Sequence, residues 1–469
     1  VNIDVDAGTT ITLAGGLGGG SGSGGNAGAI IGHGGANVDS IKTGTVDVTA
    51  GGALVMTGSA TNSNNFTQIG HGGGNSSAGS GTGAVTVQAT SVDMDGGAAG
   101  SYSHIGHGGI SATGQHTGAI SVTATTGAID ATAGAGGNSY VQIGHGGNTS
   151  RGDHGGAILV EAVTGITFAS GTGSRTTAQI GHGGAESDGN HNGAITVHTT
   201  GGNLSFTGNG SESPAQLGHG GFRASGNQSG DIDVDADSGE VLFASGGAGN
   251  EWVNSAQLGH GGWEAGGNRD GNINVDAGGN ILFDARLGRA GGYTQLGHLG
   301  QSASGDVGSI ADSNIVVNSG GDISFLGSTT ANGNGRSYSQ LGHGGRGSLG
   351  IFTGNIDVDA VGAIAFTGGV QTDSYAQLGH GGINSGRGNG NINVDAGANV
   401  TITSGSGASS YAMIGNGGRD ITAAQSGAIE INTPGGLILN AAAGGIGSLD
   451  QVGNGGLQVD GVMGNSNVT

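Results

Sequence analysis

Cysteine is absent from the 469 residues, so no disulfide staples this chain. Proline occurs only twice and tryptophan only twice, and charged residues make up 9%. No 18-residue apolar run exists, which excludes a transmembrane helix by hydropathy. Basic residues are scarce: 11 Lys and Arg stand against 33 Asp and Glu, a net charge of −22. That balance argues against nucleic acid and against anionic membrane surfaces as partners. Val1 opens inside a strand-like pattern with no charged leader, so no signal peptide is visible. No segment shows a 3.6-residue apolar period, and helix is not expected.

What the chain has instead is glycine, 115 residues of it. Unregistered glycine at that level would mean disorder, but here it is in phase with a repeat. The phrase Ile-Gly-His-Gly-Gly, or a close variant, recurs twelve times at spacings of 36 to 45 residues. Its central residue is His33, His71, His107, His145, His182, His219, His260, His298, His343 and His380, then Asn416 and Asn454. The preceding glycine is present in all twelve copies, as is the second glycine after it, while Leu299 is the one break between. Registered glycine marks positions where φ is positive or another backbone comes close.

Each repeat reads as three short strands. In one of them Ile356-Asp357-Val358-Asp359 alternates apolar and polar at period two. Ala363-Ile364-Ala365-Phe366 follows a glycine turn, and Tyr375-Ala376-Gln377-Leu378 leads into Gly379-His380. None can bury a face alone, so the expected fold is all-β: a parallel β-solenoid of about twelve coils of about 38 residues, three strands per coil. Residues 1–469 are expected to form one continuous array, roughly 58 Å long with one coil per repeat and about double that with two; one coil is preferred because the half-repeat holding Gly-His-Gly-Gly has too few apolar side chains to fill a core. A β-propeller of similar repeat length is the rival, but it needs four strands per blade. Both ends open on first-strand phrases without a cap, so a fragment of a longer chain, or end-to-end or lateral self-association, is expected.

Stacking copies of one strand stacks identical side chains. Phe168, Phe206, Phe243, Phe283, Phe325 and Phe366 are expected to form one buried aromatic column. Six tyrosines lie five residues before the motif centre, and glutamine lies three before it in nine copies. Those amides are expected to bond to one another along the column. By strand parity the motif histidines point inward or sit at a corner. They are read as a neutral hydrogen-bonded ladder, with a metal row and a proton relay as lesser alternatives. Asparagine in the last two copies keeps hydrogen bonding but is a poor transition-metal ligand.

Six carboxylates, Asp233, Asp235, Asp276, Asp357, Asp359 and Asp395, fall on the solvent side of the first strand. They read as a solvated acidic face, and as candidate Ca²⁺ ligands should the like charges need relief; no other cofactor is expected. Catalysis has little support. The irregular spots are Glu251-Trp252, Trp263-Glu264, Arg286 to Arg289 and the insert from Asp306 to Asp312. Trp252, Trp263 and the tyrosine row are the candidate contacts for surface glycans. Asp153-His154 and His191 sit in Gly/Asn-rich loops with no evident third partner.

Residues 271 to 285, Gly-Asn-Ile-Asn-Val-Asp-Ala-Gly-Gly-Asn-Ile-Leu-Phe-Asp-Ala, resemble the repeats of filamentous-haemagglutinin-like, autotransporter-type β-helix adhesins. Residues 1 to 13 and 392 to 402 carry similar phrases. The resemblance implies a right-handed β-helix shaft and export by a Gram-negative bacterium through two-partner or autotransporter-type secretion. It also implies an extracellular or cell-surface role in adhesion or matrix. The repeat is longer than that family's coil, and Ile-Gly-His-Gly-Gly is not its hallmark. On these grounds the expected function is a non-enzymatic structural shaft. A glycan-binding module and a polysaccharide-active β-helix enzyme are the alternatives.

Overall fold

The computed structural model describes residues 1–16, 27–75, 79–246, 253–286, 291–309, 313–329, 335–442 and 445–460. Three parallel sheets of twelve strands each run the length of the array. The first sheet gathers strands from Ile3–Ala7 to Ile429–Asn432, and the second gathers those from Ile11–Ala14 to Leu437–Asn440. The third runs from Gly28–Ile31 to Asp450–Val452. Every strand pairs with its own copy one turn away, as in Ile232↔Ile273 and Phe243↔Phe283. The chain is therefore a parallel β-solenoid with three principal strands per turn, and no helix occurs among the described residues.

Alternation decides which side chains go in. Ile232, Val234 and Ala236 are buried while Asp233 and Asp235 face out. Inward residues of the three sheets meet in one continuous apolar core that includes Val275, Phe283 and Leu296 of a single turn. The phenylalanine column sits in it. Its ring centroids are 4.8–5.3 Å apart, with planes within 16°. Such near-parallel stacking is imposed by the strand spacing, since the rings have no freedom to turn edge-on. Phe243→Ala should cost about 3–5 kcal/mol of unfolding free energy, because rings on both sides keep the cavity open. Phe243→Leu should lose much less; equal losses in denaturant melts would contradict a rigid column.

The third sheet departs from the amphipathic pattern. All four residues of Tyr375–Leu378 are buried. Ala376 and Leu378 face the main core, whereas Tyr375 lies in a second apolar cluster with Tyr338, Tyr411 and Ile383. The segment after the Gly-His-Gly-Gly phrase supplies Ile383 to this second layer. The tyrosine row is thus interior, and the expectation that it contacts glycans is corrected.

A fourth ladder also exists that the strand count did not anticipate. It consists of seven two-residue strands from Lys42–Thr43 to Arg269–Asp270, all lying between the histidine phrase and the next first strand. Ile351–Thr353 and Arg387–Asn389 continue it on later turns.

Candidate functional site

The motif histidines occupy the corner where the third strand ends. The glycine before each has φ between +137° and +158° from Gly70 to Gly453, which breaks strand parity and turns the next side chain. His71 to His380 are buried, and the rings from His33 to His380 stack with centroids 4.7–5.0 Å apart.

Hydrogen bonds fix the state of every motif ring from His71 to His380. The backbone N–H of each motif residue donates to Nδ1 of the histidine one turn on, at 2.9–3.1 Å, from His33→His71 through His343→His380. A backbone N–H can only donate, so Nδ1 must be the unprotonated nitrogen. The proton therefore resides on Nε2. That nitrogen donates at 2.6–2.9 Å to a backbone carbonyl just before the first strand of its turn, Gly156 for His182 and Gly230 for His260. Asparagine reproduces both bonds. His380 N–H donates to Asn416 Oδ1 at 3.0 Å, and Asn416 Nδ2 donates to Gly390 O at 2.8 Å. Asn454 does the same, accepting from Asn416 N–H at 2.9 Å and donating to Gly427 O at 2.7 Å. From His71 to His380 both ring nitrogens are committed to backbone, so no lone pair is left there for a metal ion. No ring bonds to the next, so no proton relay runs along the stack.

Burial holds these imidazoles neutral. It pushes His107 down to about 3, and His182, His298 and His380 down to about 4, the carbonyl bond only partly opposing it. His145, His219, His260 and His343 lie well below the usual value, first through burial and then through their stacked neighbours.

The glutamines do not bond to each other, contrary to expectation. Each reaches the backbone instead. Gln257 Nε2 donates to His260 O at 3.4 Å, Gly297 O at 3.2 Å and Leu299 O at 2.9 Å. Its Oε1 accepts from Tyr293 OH at 3.2 Å, and Gln295, Gln340 and Gln377 accept from tyrosine in the same way. Tyr and Gln therefore clamp the phrase of the next turn onto the third sheet.

His154 and His191, read as isolated loop residues, belong to a second buried column with His116. The rings stack at 5.2 and 5.1 Å, and Ser150 and Ser187 hydroxyls meet Nε2 of His154 and His191 at 3.1 and 3.2 Å. The column continues to Gln228 and to Arg269, whose fully buried guanidinium donates to backbone carbonyls including Ser304 O at 2.7 Å. Burial draws that guanidinium down to about 9. The signal was present in the sequence: Lys42, His116, His154, His191, Gln228 and Arg269 each lie nine residues after a motif histidine.

The six candidate calcium ligands fall into two outward columns, Asp233 with Asp357 and Asp235 with Asp276, Asp359 and Asp395. Asparagine is interleaved among them. Asn274 donates to Asp233 at 2.7 Å, Asn318 to Asp276 at 2.6 Å, Asn393 to Asp357 at 2.9 Å and Asn432 to Asp395 at 2.9 Å. Amide donors thus relieve much of the repulsion that would have called for a cation. A hollow of about 440 Å³ opens beside Asp235, Asp276 and Asp359. Of the six, only Asp235 enters a converging ligand group among the described residues.

Trp263 rests on Phe222 at 5.0 Å, and the Arg223 guanidinium lies 4.7 Å over Phe222 and 5.5 Å over Trp263. Glu264 fixes that arginine at 2.6 Å. The indole is thereby built into a local cation–π arrangement. Arg286 is held by Asp284 of the same turn at 2.7 Å. Glu251, Trp252, Arg289 and Asp312 lie outside the described residues.

No protein-family model matches the chain, and the comparisons with curated proteins and with solved structures return no match.

Proposed function

We propose that this chain is a structural shaft, part of an extracellular filament or surface adhesin, and that it works mechanically. The observation that carries this reading is the unbroken register of three twelve-stranded sheets. On top of that register, each turn is tied to the next by imidazole and amide bonds to backbone and by tyrosine hydroxyls that donate to glutamine side chains. Side chains that a catalyst would leave available are spent here on holding adjacent turns together. The acidic outer face, with its Asp–Asn pairs, would keep such a shaft hydrated and discourage lateral sticking. Resemblance of the strand phrases to haemagglutinin-like adhesins supports a Gram-negative cell surface as the setting.

An antibody raised against the repeat should label long fibres on intact source cells in electron microscopy. Diffuse label, or label confined to soluble secreted protein, would overturn the shaft reading.

A further inference from the structure

The outer face of the first sheet breaks its pattern at one place. In the outward column that holds Asp235, Asp276, Asp359 and Asp395, an imidazole occurs once, at His198. Two residues beyond that column the other turns carry Gly, Thr, Val or Pro, and a carboxylate occurs once, at Asp237. The two exceptions lie on adjacent turns. Register pairs His198 with Asp235, and Asp237 is bound to the same edge through its N–H to Thr199 O at 3.0 Å. One imidazole is thus flanked by two carboxylates from the next turn.

The distances suit a small ion. His198 Nε2 lies 3.4 Å from Asp237 Oδ2. One ligand atom from each of His198, Asp235 and Asp237 lies within 4.8 Å of the other two. A tetrahedral ion with N and O ligands at about 2.0–2.2 Å sets neighbouring ligand atoms roughly 3.4 Å apart. One edge already has that length, and the half-buried His198 ring and the exposed Asp237 and Asp235 carboxylates lie at the surface where small rotations can close the others.

We propose that His198, Asp235 and Asp237 form a binding site for one divalent transition-metal ion of the zinc class, with water completing the shell. Imidazole among the ligands favours such an ion over calcium or magnesium. The stacked motif histidines from His71 to His380 do not compete, because both their nitrogens are engaged with backbone.

The test is titration of the untagged full chain with Zn²⁺ by calorimetry, and with Co²⁺ by visible absorption, near neutral pH. One equivalent should bind, with the intense visible bands of a four-coordinate cobalt ion. His198→Gln and Asp237→Asn should each weaken binding by about tenfold or more. Neither should change the melting temperature of the metal-free protein. Asp359→Asn, in the same column but outside the group, should leave affinity unchanged. Absence of saturable binding would overturn the proposal. So would uptake of several ions that His198→Gln leaves intact, which is the behaviour of a diffuse acidic face.

Discussion

Gly218→Ala should split the array. Gly218 has φ +150°, and a Cβ there would lie 2.1 Å from Gly259 O and 2.5 Å from Gly259 C of the next turn. Both atoms are backbone, so no rotamer change relieves the clash. Alanine also resists that φ. The same geometry recurs at Gly181, Gly259, Gly342 and Gly379, each with a carbonyl oxygen of the following turn at 2.0–2.1 Å from the built Cβ. The turn can accept a methyl only by giving up its hydrogen bonds to its neighbour. A cost beyond about 5 kcal/mol at one interface is the expected scale for a buried steric conflict of this kind. In a solenoid stability is summed from neighbouring turns, so one broken interface leaves two shorter arrays. Limited proteolysis should then cut near residue 218, and the unfolding curve should lose its single cooperative step. Gly266→Ala is the control: the nearest atom to its Cβ would be Ser304 Oγ at 3.9 Å. Its stability should change by less than about 0.5 kcal/mol. Equal behaviour of the two variants would refute the close approach as the reason for glycine.

That same glycine shows where the sequence could be read and where it could not. Period, strand parity and the phenylalanine column followed from alternation alone, because Ile232, Val234 and Phe243 obey the rule that inward residues are two apart. At the histidine parity left the interior and a corner both open, and the glycine before it, at φ near +140°, turns the next side chain into the corner. Alternation also gave no sign that the face carrying Tyr375 and Gln377, opposite the main core, is covered by the returning segment. The fourth ladder escaped notice for a different reason. Its strands are two residues long and carry Lys, Gly, His, Gln or Arg at the buried position, so no hydrophobic pattern marks them. An offset of nine residues from the motif exposes that column at Lys42, His116, His154, His191, Gln228 and Arg269, while Gly81 lies ten after His71. The tautomer of the stacked imidazoles depends on which backbone groups they meet, and those partners come from 24 to 45 residues away.

Acid should dissolve the ladder turn by turn, and asparagine should protect it. Each buried motif histidine titrates in the folded chain below its ordinary value of 6.5, near 3 for His107 and near 4 for His182, His298 and His380. The unfolded chain therefore takes up protons first as pH falls. Stability is complete above about 6.5, declines below it, and has lost the whole contribution once pH reaches the folded value. Within that window every such histidine removes about 1.4 kcal/mol per pH unit. The second column deepens the loss on three turns, since burial takes His116 and His191 down to about 3 and His154 well below normal. Asp93 and Asp235 work in the opposite sense, their raised carboxyls gaining stability on protonation, but they titrate from an ordinary value of 3.8, and each turn from His71 to His380 brings one buried histidine or more. The imidazole effect wins between pH 6.5 and 4. A protonated ring would also turn an N–H at Nδ1 against the backbone N–H of the preceding turn, so the bond reverses into a repulsion. His182→Asn should keep the neutral-pH melting temperature nearly unchanged, because Asn416 already makes both bonds with its amide. It should flatten the decline by one histidine's share. His182→Ala should lose about 3–5 kcal/mol at neutral pH, leaving His145 N–H and Gly156 O buried without partners beside a cavity, and its deficit against the parent should narrow as pH falls, because it too lacks that histidine's share of the decline. Thermal melts at pH 7 and 4.5 separate the three chains. Equal melting of the parent chain at both values would mean that the rings are not held neutral, and the ladder would not be the element that ties turn to turn.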